Sequence, residues 1–229
     1  MKNPIRLARA LTSAIRLIRD PSRLDEVFQM ADAAVDPAIL RAMADAVAKT
    51  PEGARALAER PRIGTIDLAA LRTLPEGTLC RAFAEHMLAA GLDPAALPLL
   101  PAADATSFLR AHLYETHDVW HVLTGFGTDV AGELGLQAFY VAQIPGRLAP
   151  ALVAGGLVNM VLFELGERDA RMRAIVRGWL LGKRARYLFG ARWAEMWGQP
   201  LEEVRRLFAI DIAGVEDALP PTAPTALAA

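Results

Sequence analysis

The chain has 229 residues, with 25 Lys and Arg against 26 Asp and Glu, for a formal charge of −1. That balance excludes a generic basic nucleic-acid binder, and one cysteine, Cys80, excludes an intramolecular disulfide framework or a cysteine-rich zinc module. Hydrophobic residues make up 53% but aromatics only 7%; with Ala and Leu dominant and β-branched residues sparse, the composition favours helices over sheet.

Residues 3–19 carry no acid and repeat apolar and basic positions at helical spacing. They read as an amphipathic first helix over 1–19, with three candidate roles: core-facing, interfacial on anionic lipid, or a transit peptide. Asp20-Pro21 stops that helix and starts a second through Leu24, Val27, Phe28 and Ala31. Pro37 and Pro51 each open a further helix, a short piece follows near Ile66–Leu71, and another covers about 77–91, ending at Gly91. After a Pro-rich loop at 92–105 come helices at about 106–124, 128–143, 147–165 and 167–189, and a short one after Pro200. Residues 213–229 are small and Pro-rich and read as a disordered tail. With no strand-like alternation and no internal repeat, the expectation is an all-α, single-domain multi-helix array over residues 1–212.

Two segments bear on lipid. The apolar run 148–165 approaches the length needed to cross a bilayer, but Pro150, Gly155, Gly156, Asn159 and Glu164 interrupt it. It is read as a buried central helix in preference to a span. Residues 167–192 then place eight basic side chains against Glu167 and Asp169. That surplus suits phosphate groups or an anionic membrane surface; a solvated face neutralised by acids elsewhere is the competing reading.

Three of the four histidines fall between Thr106 and His121. His117 and His121 differ by about 40° of helical rotation, and Asp118 lies within about 100° of both. Imidazole nitrogens and a carboxylate on one arc are the usual donors for a divalent transition metal. Gly125-Phe126-Gly127 should break the helix, Thr128 can cap the next, and the short gap makes the two antiparallel. His121 and Glu133 then each lie roughly 6–8 Å from the turn, level with one another. Glu133 has apolar neighbours and would be costly unpaired, whereas a metal compensates it. The candidate ligands are therefore His117, Asp118, His121 and Glu133, holding zinc, with iron or manganese as alternatives. His112 is read as a surface or outer residue and His86 as an ordinary helix-face histidine. The pattern argues against a zincin protease, because Asp118, with its shorter arm, stands where a general-base Glu is needed. An HD-type phosphohydrolase remains an alternative, although no second His-Asp pair is present.

These residues also carry a family likeness. Tyr114-Glu-Thr-His-Asp-Val-Trp-His121, with eleven residues before Glu133, resembles the His-Asp-x-x-His-x(11)-Glu signature of the coenzyme Q biosynthesis protein four family. Asp20-Pro21 with Arg23-Leu24-Asp25, Thr124-Gly125, Asp129 to Glu133, Gly178, Gly182, Ala185, Trp193, Leu201, Glu203, Val204 and Arg205 are similar to its flanking segments. The resemblance implies an all-helical protein of ubiquinone biosynthesis that binds isoprenoid chains and associates with other enzymes of the pathway. It further implies removal of the ring carboxylate of a polyprenyl hydroxybenzoate precursor, with hydroxylation at ring carbon one, and metal ligation by the same four residues.

A polyprenylated ring needs an apolar groove. Side chains of 134–165, with Phe139, Tyr140 and Phe163, can line one, core packing being the other reading of these aromatics. The expected site of action is peripheral, at the cytoplasmic face of a bacterial inner membrane or the matrix side of the mitochondrial one. A homodimer and a non-catalytic isoprenoid-binding scaffold of the biosynthetic complex stay open as alternatives.

Overall fold

The computed structural model describes Arg16 and residues 36–94 and 99–221. Among these, twelve α-helices and a 3-10 turn form the architecture, with no strand and one isolated bridge, Thr78 to Pro200. The helices are α1 (Pro37–Val47), α2 (Pro51–Glu59), α3 (Leu68–Arg72), α4 (Leu79–Ala89), α5 (Ala105–Glu115), α6 (His117–Thr124), α7 (Val130–Gln143), α8 (Leu148–Phe163), α9 (Arg168–Arg184), α10 (Trp193–Met196), α11 (Leu201–Leu207) and α12 (Ile212–Glu216). The expected all-α class is observed. Prolines open α1 and α2 at the first helical position, behind Asp36 and Thr50, whose side chains accept the free N–H groups of Ala38 and Gly53.

Helices α7 and α9 pack backbone to backbone. A Cβ on Gly178 would lie 1.9 Å from the carbonyl oxygen of Gly135, so α9 tolerates no side chain at the crossing. Between this pair and α4, α5 and α6 lies the core, with Phe83, Phe108, Trp120, Phe139 and Trp193 essentially fully buried. Gln143 seals the far end of α7. Its amide donates to the Gly182 carbonyl (2.8 Å), and its oxygen accepts from the Leu188 N–H (3.0 Å).

Several expectations change. The helix at 106–124 is two helices, because the Thr116 hydroxyl donates back to the His112 carbonyl at 2.7 Å and the chain bends there. The run at 148–165 is not a buried central helix: α8 buries only Gly156, Asn159 and Met160. Glycine lets α9 take the central place against α7, and α8 is left outside. Val161, Leu162, Phe163 and Leu165 are more than half exposed. No helix among the described residues is long and apolar enough to cross a membrane.

The boundary of the expected tail is also wrong. Residues 212–216 form α12, Val215 and Leu219 are buried, and Glu216 pairs with Arg173 (2.7 Å) and Arg177 (3.0 Å). Two apolar side chains and one acid suffice to dock this segment on α9. Residues 222–229 lie outside the described residues, as does the expected helix over 1–19 apart from Arg16, which is helical.

Candidate metal centre

Helix α6 ends at Gly125, whose left-handed backbone (φ 67°) turns the chain toward α7. Asp129, rather than the expected Thr128, caps α7 by accepting from the Gly132 N–H at 2.9 Å. Two arginines from distant helices lock the end of α6. Arg205 donates to the carbonyls of Leu123 and Val122 (2.9 Å each), and Arg177 donates to that of Thr124 (2.9 Å) while lying over the Phe126 ring. Cations at a helix C-terminus satisfy its free carbonyls and oppose its dipole. Much of the basic surplus of 167–192 is thus committed internally, with Arg192 on Glu59 and Glu195 as a further case.

The turn sets the chemistry of His121. Its Nδ1 lies 3.1 Å from the Phe126 carbonyl, to which only an N–H can bond. With a proton fixed on Nδ1, Nε2 is the nitrogen that a metal would take, in place of the proton that Glu133 otherwise draws to it. That Nε2 stands 3.2 Å from His117 Nε2 and 3.2 Å from Glu133 Oε1, and Glu133 Oε2 is 3.9 Å from His117 Nε2. Donor atoms of His117, Asp118 and His121 all lie within 4.8 Å of one another. Of the four residues singled out by spacing, His117, Asp118 and His121 cluster, and Glu133 reaches the two imidazoles. His121 is buried, and the other three are part-exposed.

Electrostatics follow from this crowding. Burial works against a charged His121, but the hydrogen bond and charge of Glu133 outweigh it and raise the pKa. Burial likewise opposes the Glu133 carboxylate, yet the hydrogen bond to His121 and the nearby imidazoles hold its pKa below the usual value. Burial and then the neighbouring His121 lower His117. Two imidazole nitrogens face each other beside two carboxylates, so the cluster calls for a positive charge at its centre. The donor set fits a divalent cation.

Two residues that spacing did not assign to this cluster belong to it. His86, from α4, stacks on His121 with ring centroids 5.2 Å apart and presents a buried Nε2 3.9 Å from Asp118 Oδ1. The available signal was its place three residues after Phe83, next to the core-facing stripe of α4. Tyr140, expected in a lipid groove, stacks on Trp120 (4.3 Å) and His117 (5.9 Å). Its hydroxyl is buried without a hydrogen-bond partner, and burial with the charges of Asp118 and Glu133 pushes its pKa well up.

The groove of Phe139, Tyr140 and Phe163 does not form. Phe139 is fully buried against Trp120, while Phe163 is exposed at the far end of α8. An apolar groove of about 290 Å³ does open elsewhere, between α7, α8 and α9, lined by residues including Val141, Pro150, Val153, Leu157 and Trp179. His112 is no surface residue either. It is wholly buried, its Nδ1 bonding the Pro61 carbonyl (3.1 Å) and its Nε2 accepting the Gly190 N–H (3.0 Å).

Comparison with known proteins identifies the family of the whole chain. Residues 2–213 match the family described as coenzyme Q (ubiquinone) biosynthesis protein Coq4. The mitochondrial ubiquinone biosynthesis protein coq4 of Aspergillus fumigatus is 29% identical over 210 residues, 89% of this chain and 72% of its own length. The mitochondrial COQ4 protein of Laccaria bicolor is 30% identical over 207 residues, 88% of this chain and 68% of its own. A crystal structure of a Nostoc punctiforme protein assigned to ubiquinone biosynthesis superposes with a TM-score of 0.76 at 30% identity, covering 89% of this chain and 98% of that one. The chain belongs to the coenzyme Q (ubiquinone) biosynthesis protein Coq4 family, and its role lies in ubiquinone biosynthesis.

Proposed function

We propose that the protein is a metal-dependent enzyme that removes the ring carboxylate of a polyprenyl hydroxybenzoate precursor, with hydroxylation at ring carbon one. The observation that carries this reading is the clustering of the His117, Asp118 and His121 donor atoms, with Glu133 3.2 Å from His121 Nε2, in a chain of this family. A divalent metal held there, with zinc first and iron or manganese as alternatives, supplies charge stabilisation to a bound carboxylate or phenolate. His121 offers Nε2 because the Phe126 carbonyl keeps its proton on Nδ1. Asp118 and Glu133 offset the positive charge. The Tyr140 hydroxyl, buried beside these carboxylates and without a partner, is suited to donate a hydrogen bond to an anionic oxygen on the ring. Hydroxylation needs a two-electron oxidant beyond these side chains, so it engages dioxygen or a partner enzyme.

The apolar groove between α7, α8 and α9 suits an isoprenoid tail. The exposed apolar end of α8 suits peripheral contact with an anionic membrane or with other ubiquinone biosynthesis proteins, a second copy of this chain included. Those same two features support a second reading, a non-catalytic isoprenoid-binding scaffold. Family membership leaves the phosphohydrolase alternative without support.

Elemental analysis of purified protein and of His121→Ala tests the metal. A deletion strain tests the step. We expect stoichiometric metal that His121→Ala loses, and a prenylated, still carboxylated ring accumulating in the strain. Normal ubiquinone in that strain would refute the enzymatic reading. Tight isoprenoid binding that survives Glu133→Ala, with no turnover, would establish the scaffold instead.

A further inference from the structure

His86 lies outside the hairpin that carries the four candidate ligands, yet α4 delivers it to them. Its ring stacks on His121 at 5.2 Å, tilted by 24°, which fixes the plane of the imidazole. Its Nε2 is buried and has no hydrogen-bond partner. A buried polar atom left in that state is costly, so its position calls for a function. The nearest acid is Asp118, whose Oδ1 is 3.9 Å away. That gap exceeds a hydrogen bond. The terminal torsion of an aspartate is soft, so a small rotation of the carboxylate closes it.

We infer that His86 is the positioning residue of Asp118: its Nε2–H is donated to the carboxylate and holds the other oxygen toward the Nε2 atoms of His117 and His121. Carboxylates that ligate metals are themselves held by hydrogen bonds, and loss of such a partner weakens affinity without changing the ligands. The stack on His121 gives His86 a grip on two candidate ligands at once. This inference rests on the metal reading proposed above.

The test is a Co²⁺ titration of the full chain, in competition with a chelator, followed by visible absorption. His86→Phe keeps an aromatic ring on His121 and removes the N–H. His86→Gln keeps an N–H donor of similar reach. We expect His86→Phe to bind Co²⁺ about 10–100-fold more weakly, with the absorption bands unmoved, and His86→Gln to recover most of that loss. His86→Leu stands in for the phenylalanine variant if the latter does not fold. Combined with Asp118→Ala, His86→Phe should cost nothing further, because its effect passes through that carboxylate. Wild-type affinity in His86→Phe would overturn the inference. So would bands displaced as by a lost ligand, or losses that multiply in the double variant. Failure of the wild-type chain to take Co²⁺ at all is a different result, and it overturns the metal reading together with the inference.

Discussion

The imidazole of His121 is held by the carbonyl of Phe126, 3.1 Å from its Nδ1, five residues ahead across the turn. The same turn carries Glu133 to within 3.2 Å of the opposite nitrogen. Tautomer and charge partner of one buried histidine are thus set by a single bend, and the bend depends on Gly125.

Gly125→Ala tests that dependence. At φ 67° an added Cβ is strained, and it would sit 3.3 Å from Ile212 Cδ1. The left-handed conformation costs roughly 1–2 kcal/mol for a residue with a side chain. The expected outcome is a loss of stability of that order, read by denaturant unfolding, with metal content reduced because Phe126 and Glu133 move together. Full metal content in a destabilised protein would uncouple the bend from the centre.

Tyr140→Phe should separate stability from activity. The hydroxyl is buried and unpartnered, so removing it relieves an uncompensated polar group. The ring keeps its stack on Trp120 and His117. Unfolding without substrate should show the variant as stable as the parent or up to about 1 kcal/mol more so, while turnover of the prenylated acid falls. Unchanged turnover would remove Tyr140 from the substrate contacts.

Much of this centre is legible in the sequence because helical periodicity is local. His117, Asp118 and His121 share an arc by spacing alone, and the short glycine-flanked gap puts Glu133 opposite them. His86 and Tyr140 are not legible in the same way. Their place depends on how α4 and α7 rotate against α6, which only tertiary packing decides. The exposure of α8 is hidden for another reason. A helix apolar on every side carries no polar stripe to mark which face meets water. The docking of α12 rests on Val215, Leu219 and Glu216, too few signals to stand out among small residues and prolines.

His112 makes stability depend on pH. Burial pushes its pKa down to about 4 from an ordinary 6.5, and both nitrogens are engaged with backbone groups in the neutral form. Below pH 6.5 the unfolded chain binds this proton and the folded chain does not. The contribution is therefore complete above about pH 6.5 and lost progressively as pH falls toward 4. Linkage sets the loss at about 3 kcal/mol for this one group. The difference in unfolding free energy between the protein and His112→Gln, followed from pH 7 to pH 4, should carry that dependence. A flat difference would show that His112 takes up its proton in the fold as readily as in the unfolded chain.

The exposed apolar end of α8 gives the last prediction. Leu162 and Phe163 are 61% and 54% exposed, with Val161 and Leu165 exposed beside them in the chain. Side chains that water already reaches contribute little to folding, so Leu162→Ser with Phe163→Ser should change the unfolding free energy by no more than about 0.5 kcal/mol. Contact with a bilayer is another matter, since burying such side chains is worth about 1.5–3 kcal/mol each. Flotation with liposomes containing anionic lipid should therefore drop sharply in the double variant while metal content and unfolding stay at parental values. Equal flotation of the two proteins would move the membrane contact to another face. A loss of stability would mean that α8 is covered within the protein's own assembly, and gel filtration of the two forms would then show the parent as the larger species.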